Sequence, residues 1–304
     1  MARFHRAHLQ KMLLESVPAE GVSLVLSKRV ESVRVDPSAD RDGVVLAFQD
    51  GTSFAADFLV GADGIHSGVR KALVPEHSLQ WTGDVLFRST FDASLVKGVE
   101  DLLDDAVFYS GPDGRYLFAS RLVNTPGDME SLRALFKGWH PTVQKLLQAT
   151  PATRVYPNHL GTSLESLVFG GRIALLGDAG HTHGGAFASD GSLAINDAHA
   201  LALSLAHVWP AAQGADGATP DKSQLQGALA LFDATRRPHV TRLIDVVHSG
   251  LAERFEKLRD PHRVEETDGE LRARIAAVEG FSWLGEHDVE AEFRRAAQGD
   301  VAKL

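Results

Sequence analysis

Hydrophobic positions change period twice within the first sixty residues. Over residues 8–17, Leu9, Met12, Leu13 and Val17 follow a helical spacing, which predicts a helix with one face on a core, ended by Pro18 and Gly21. Short β-branched or apolar runs then predict strands at 22–26, 30–35 and 44–48. Asp50-Gly51 supplies a two-residue hairpin turn before 52–56. Phe58-Leu59-Val60 is too short and too apolar for anything but a buried strand, and it delivers Gly61-Ala62-Asp63-Gly64 at its C-terminal end.

Residues 79–123 predict a second sheet, with strands at 85–91, 107–109 and 116–119 and a turn at Gly111-Pro112-Asp113-Gly114. Helical spacing returns over 130–148. Residues 173–176 form another short apolar run, ending at Gly177-Asp178. Beyond it, Ala194, Ala198, Leu201, Leu205 and Val208 mark an amphipathic helix, and 213–219 reads as a Gly- and Ala-rich surface loop. From 225 to 298 the pattern is helical and charged, with breaks expected near Pro238 and Pro261. Interspersed strands and helices predict a mixed α/β class.

Composition narrows the chemistry. A chain of 304 residues accommodates one large domain or two modest ones. Cysteine is absent, which excludes disulfides, thiolate catalysis and zinc–thiolate sites. The net charge is −9, from 31 basic and 40 acidic side chains, without a Lys/Arg cluster, so neither nucleic acid nor an anionic membrane is an expected partner. Residues 1–14 lack the continuous apolar core of a secretory signal, and no run approaches the roughly 20 apolar residues of a membrane span. The expectation is a soluble, cytoplasmic protein.

The two short apolar runs that break at Gly and Asp carry the functional reading. VGADGIHSGVR covers residues 60–70 and GRIALLGDAGH covers 171–181. Each has the form of a buried strand that hands a carboxylate and exposed backbone amides to a polar cofactor. Together they resemble the FAD-dependent aromatic hydroxylases, the group A flavoprotein monooxygenases, of the salicylate-hydroxylase-like kind. The resemblance implies an α/β fold: a discontinuous FAD/NAD(P)-binding Rossmann-like domain at 1–78 and 150–210, an inserted β-rich substrate domain at 79–149 and a helical region at 211–304. It implies FAD as cofactor, NAD(P)H as reductant, and O₂ with an aromatic or related cyclic small molecule as substrates. Asp63 and Gly64 would then lie near the FAD diphosphate. Asp178, flanked by Gly177 and Ala179, would accept a hydrogen bond from a ribityl hydroxyl, and Gly184 and Gly185 would approach the isoalloxazine ring. The helix that follows would aim its positive end at the flavin pyrimidine edge. Arg6, in RFHRAHLQ, matches an R-x-x-L segment whose Arg approaches FAD. The cofactor carries the difficult chemistry, and no catalytic acid or base is named.

Each residue also has a plainer reading: Asp63 as a structural turn, Asp178 as a helix cap, Arg6 as a surface charge, and Arg70 as a local cap or pair. His181 and His183 invite a metal, but a Gly-rich turn does not hold them on one face and no third ligand accompanies them, so no metal is expected. His183 could instead be a polar contact near substrate. The loop HTHGGAFASDGS departs from the commonest family pattern, with Gly185 where a Pro is usual and Asp190 where a Gly usually stands. Asp190 either faces the flavin, where it opposes the charge of the reduced ring, or caps the next helix, which is the favoured reading. Trp81, Trp139 and Trp283 are expected to be core or interface anchors, and the role of Arg88 is open. Relatives open with a strand, a GxGxxG turn and a helix that this chain does not contain. A truncated or partial gene product, a non-catalytic remnant that does not bind FAD by itself, and a second polypeptide supplying the missing half are the alternatives.

Overall fold

The computed structural model describes residues 6–36, 43–89, 91–99, 102, 107–110, 115–119, 137–151, 153–185, 189–209, 220–259, 267, 269–270, 272–273 and 282–299. Along the chain the elements are α1 (Arg6–Glu15), β1 (Val30–Asp36), β2 (Gly43–Phe48), β3 (Ser53–Ala56), β4 (Leu59–Gly61), α2 (Gly68–Leu73) and β5 (Leu79–Arg88). There follow β6 (Val107–Ser110), β7 (Tyr116–Ala119), α3 (Pro141–Ala149), β8 (Arg154–Gly161), β9 (Val168–Phe169), β10 (Ile173–Leu175), α4 (Asp190–Val208), α5 (Lys222–Arg259) and α6 (Val289–Ala297). The chain divides into two compact units, one of Met1–Val25, Gly83–Asn158 and Val264–Arg272, the other of Leu26–Thr82, His159–Arg263 and Ala273–Leu304.

In the second unit β1, β2 and β3 form an antiparallel sheet. Its β2–β3 turn closes where the Gly51 amide donates to the Phe48 carbonyl, with Gly51 at φ +82°, as the predicted Asp50-Gly51 hairpin requires. A second sheet has the order β4-β10-β9. β4 and β10 run parallel, with Leu59 opposite Ile173 and Gly61 opposite Leu175, and β9 is antiparallel to β10. Such short strands persist because Ile173, Ala174 and Leu175 are wholly buried, in one cluster with Val44, Val69, Leu201 and Phe232. Helices α4, α5 and α6 pack on one another in the same unit.

The first unit holds α1, the antiparallel pair β6–β7, and α3, whose Val143 and Leu147 bury against Phe87, Tyr109, Leu117 and Trp139. Pro141 opens α3 behind His140, whose ring nitrogen accepts from the Thr142 amide. β5 pairs with β8, a strand that the hydrophobic pattern does not predict. Among the described residues no helix is long and apolar enough to cross a membrane.

Several expectations are corrected. Residues 22–26 form no strand, and Val22, Leu24, Val25 and Leu26 are exposed, since a β-branched run becomes a strand only when another strand supplies its hydrogen bonds. The apolar face of α1 is likewise uncovered at Met12 and Leu13, and Val17, which lies beyond the end of the helix, is exposed as well: periodicity identifies a face to be covered, not its cover. α5 runs unbroken through Pro238. A proline in a helix interior costs about 3 kcal/mol. Burial of Phe232 and Arg236 before it and of Val240, Leu243 and Ile244 after it outweighs that cost. The buried face of α4 is Leu193, Asp197, Ala200, Leu201 and Ser204, rotated from the predicted stripe, in which Ala198 proves exposed. The expectations for 111–114, 130–136, 213–219 and Pro261 lie outside the described residues.

Candidate functional site

The parallel pairing of β4 and β10 brings both Gly/Asp turns to the same end of the sheet, where ligands of open α/β sheets bind. At the end of β4, a Cβ on Gly61 would lie 2.7 Å from Leu175 Cδ2 and 3.0 Å from Val69 Cγ1, so only glycine allows the strand this close to β10 and α2. Gly64 has φ +81° and its Cβ position opens on empty space. The Asp63 carboxylate is occupied by α2: Oδ1 accepts from Ser67 Oγ at 2.5 Å, and Oδ2 from the amides of Gly68 at 2.7 Å and Val69 at 3.1 Å. Ser67 Oγ then accepts from the Arg70 amide at 2.9 Å. A helix of 6 residues is marginal alone, and Asp63 with Ser67 satisfies the amides its first turn leaves unpaired. Ala62 and Asp63 are exposed and Gly64 half-buried, so the backbone of this turn is within reach of a ligand.

At the end of β10 the ladder continues from the Leu176 amide to the Gly61 carbonyl. A 3-10 turn follows at Gly177–Ala179, with Gly177 at φ +57°. Asp178 is half-buried and Ala179 wholly buried. The two turns are joined by Arg70. Its Nη1 donates to the carbonyls of Asp178 at 2.8 Å and Ala179 at 3.0 Å, and its Nη2 to the carbonyl of Ile65 at 2.5 Å. Burial lowers the Arg70 pKa, while the charges of Asp63 and Asp178 pull it back up. The structure thus brings Asp63, Gly64, Gly177, Asp178 and Ala179 together, and it assigns Arg70 a part larger than a local cap.

Beyond the second turn, Gly184 and Gly185 take φ of +71° and +66°, a backbone conformation that L side chains rarely adopt. His183 forms an isolated antiparallel bridge with Leu160. Asp190 is the first residue of α4 and does not cap it; Ser189 holds the cap position and makes no side-chain cap bond. The Asp190 carboxylate instead meets His183, with Oδ1 at 3.2 Å from Nε2. The two histidines face different partners, His181 turning to Asp197 at 2.6 Å, and among the described residues no group of three His, Asp or Glu side chains is arranged to hold a metal. Arg6 begins α1 in the first unit. Arg88, in β5, is exposed and its carbonyl accepts from Thr153 Oγ1. Trp81 is exposed and so is not a core anchor; Trp139 packs on the α3 cluster and Trp283 on His239.

Behind the second turn lies a buried ionic network. Asp197 Oδ2 accepts from the Gly177 amide at 2.8 Å and pairs with His181, and Oδ1 accepts from Arg236 Nε at 2.8 Å. Arg236 Nη1 stands 2.7 Å from His287 Nε2, and His287 stacks on His239 at 3.6 Å between ring centroids. Burial raises the Asp197 pKa, but His181, Arg236 and the Gly177 amide more than offset it and hold the carboxyl below its ordinary value. Burial, then neighbouring positive groups, push His239 down to about 3 and His287 down to about 4, from an ordinary 6.5. Between those values and 6.5 the unfolded chain binds protons at both positions and the folded chain does not. Stability is therefore expected to fall as pH falls from about 6.5 toward 4, read as a declining thermal midpoint in a pH series. His239→Phe, which keeps a ring in the stack, should flatten the decline; an equally steep decline in that variant would exclude His239 as a source.

The arrangement suits FAD: glycine turns with φ that side chains resist, at the ends of parallel strands, beside a half-buried carboxylate at Asp178. Comparison with known proteins agrees. The chain is 33% identical over 230 residues to aurachin C monooxygenase/isomerase of Stigmatella aurantiaca, covering 70% of this chain and 58% of that protein. It is 29% identical over 334 aligned positions to a salicylate hydroxylase of Pseudomonas putida, covering 96% of this chain and 71% of that one. Among solved structures, Klebsiella pneumoniae HpxO complexed with FAD and uric acid superposes with a TM-score of 0.57 at 28% identity, covering 82% of this chain and 66% of that one. The family profile described as FAD binding domain matches residues 1–218, well over half of the chain, and the chain belongs to that family.

Proposed function

We propose that the chain supplies the flavin-facing part of an FAD- and NAD(P)H-dependent monooxygenase that hydroxylates an aromatic or related cyclic small molecule. The observation that carries this reading is the junction of the two Gly/Asp turns, held by Arg70 at the ends of β4 and β10. The names of the relatives support the reaction class. FAD, when bound, supplies the redox chemistry that activates O₂. The chain's own residues bind and orient. Asp63 and Ser67 hold α2 so that the backbone at Gly64 faces the diphosphate, and the Asp178 carboxylate accepts from a ribityl hydroxyl. Gly184 and Gly185 leave room for the ring, and the positive end of α4 stabilises negative charge at its pyrimidine edge. Arg6 is included among the cofactor residues on the family resemblance alone.

The test is flavin retention. Protein incubated with FAD and freed of unbound cofactor should keep a flavin spectrum, and Asp178→Ala should weaken FAD binding roughly 10- to 100-fold, the loss of a charge-assisted hydrogen bond. A folded, colourless protein, or an Asp178→Ala variant that binds FAD as tightly as the parent, would overturn the reading.

A further inference from the structure

We infer that Asp190 is a positioning residue of the flavin loop, acting through an ion pair with His183; this rests on the flavin reading above. The His183 side chain is completely buried, while that of Asp190 is 34% exposed. His183 is fixed by its backbone bridge to Leu160 and by the neighbouring bond from the Gly161 amide to the Thr182 carbonyl at 2.9 Å. Its ring is bounded on both nitrogens: Nδ1 is 3.2 Å from the His181 carbonyl oxygen, and Nε2 is 3.2 Å from Asp190 Oδ1 and 3.3 Å from Ser189 Oγ. A carbonyl and a carboxylate only accept, so the proposed pair requires a ring that donates from both nitrogens, in place of a neutral ring whose Nε2 accepts from Ser189 Oγ.

Two consequences follow for the site. The pair joins the residue just before the Gly184-Gly185 turn to the first residue of α4, so the turn and the helix start are held in one relation by a side-chain contact. The pair also answers the Asp190 charge where it arises. A carboxylate at the start of α4 is favoured by the helix, but alone it would set a negative charge beside the flavin edge; paired with the imidazolium it adds almost no net charge there. The departure from a Gly at position 190 is thus compensated by the His at 183.

The pair is tested first without flavin. Nitrogen NMR of histidine-labelled protein at neutral pH should show both His183 ring nitrogens protonated, and Asp190→Asn should remove that signature. A parent protein without it refutes the pair. FAD affinity tests the positioning role. Asp190→Asn and His183→Gln should each weaken FAD binding about fivefold, and the double variant should be no weaker than either single, as expected for groups acting through one contact. Tighter binding in Asp190→Asn, or additive losses, would show Asp190 acting as an independent charge and overturn the positioning role. An intact NMR signature in a protein that does not bind FAD would instead overturn the flavin reading, leaving the ion pair standing.

Discussion

Asp197→Ala is expected to lower the free energy of unfolding by about 3–5 kcal/mol, the largest effect of any single substitution at the site. Asp197 and Arg236 are both wholly buried, so truncating the carboxylate strands a guanidinium where water does not reach it. The same truncation removes the acceptor of the Gly177 amide and the partner of His181. Arg236 already has one buried nitrogen, Nη2, without a hydrogen-bond partner, which leaves it little reserve. Arg236→Met should be costly for the mirror-image reason, leaving Asp197 ionised and half-answered. The double variant Asp197→Leu with Arg236→Met should cost less than the sum of the singles, because it leaves neither charge behind. Urea unfolding at neutral pH measures all three, and a loss below about 1 kcal/mol for Asp197→Ala would mean that the network is not ionic.

The second large effect concerns Arg70. Arg70→Met should destabilise by about 2–4 kcal/mol, since three backbone carbonyls on two turns lose a common donor in a place where the side chain is 5% exposed. Arg70→Lys keeps the charge but offers one compact ammonium where a planar fork spans both turns, so it should recover only part of the loss. Flavin retention should fall in the same order, parent above Lys above Met, because the loss loosens the junction at which FAD is proposed to sit. A Lys variant with parental stability and parental retention would show that charge alone, not the fork, holds the turns together.

The parts of this site legible in the sequence are those where one local rule dominates. The buried run before Gly177 and the Asp50-Gly51 hairpin each have a single physical reading, and each is found where expected; the apolar triplet before Gly61 forms its strand but not a buried one, since Val60 is exposed and Phe58 and Leu59 are half-buried. Residues whose meaning depends on a distant partner were not legible. Asp197 lies on the buried stripe of α4 with Leu201 and Ser204, but counting apolar residues alone joins Leu201 to Ala194 and Ala198 and passes over Asp197. The available signal was a lone acidic residue at helical spacing from Leu193 and Leu201, a position that demands a buried cation. Pro238 looks like a break because local rules do not include the packing on both sides of it. Asp190 looks like a cap because its partner, His183, precedes it across a loop, and the cap position is held by Ser189. The Arg70 side chain meets carbonyls 108 and 109 residues away, which no local pattern encodes.

That separation bears on how the protein reaches its fold. β4 has no strand beside it, among the described residues, except β10, and the donors and acceptors of the junction come from opposite sides of the chain segment that contains β5 to β8. Closing so long a loop sacrifices chain entropy before any contact repays it, and contacts of this range are characteristic of slow folding. During synthesis the turn at Asp63 can close on α2 at once, since Ser67, Gly68 and Val69 are adjacent. Arg70, however, must wait for its carbonyl acceptors until the ribosome has delivered residues 178 and 179. The proposed cofactor cradle is therefore a late product of folding, assembled by the same long-range step that completes the core.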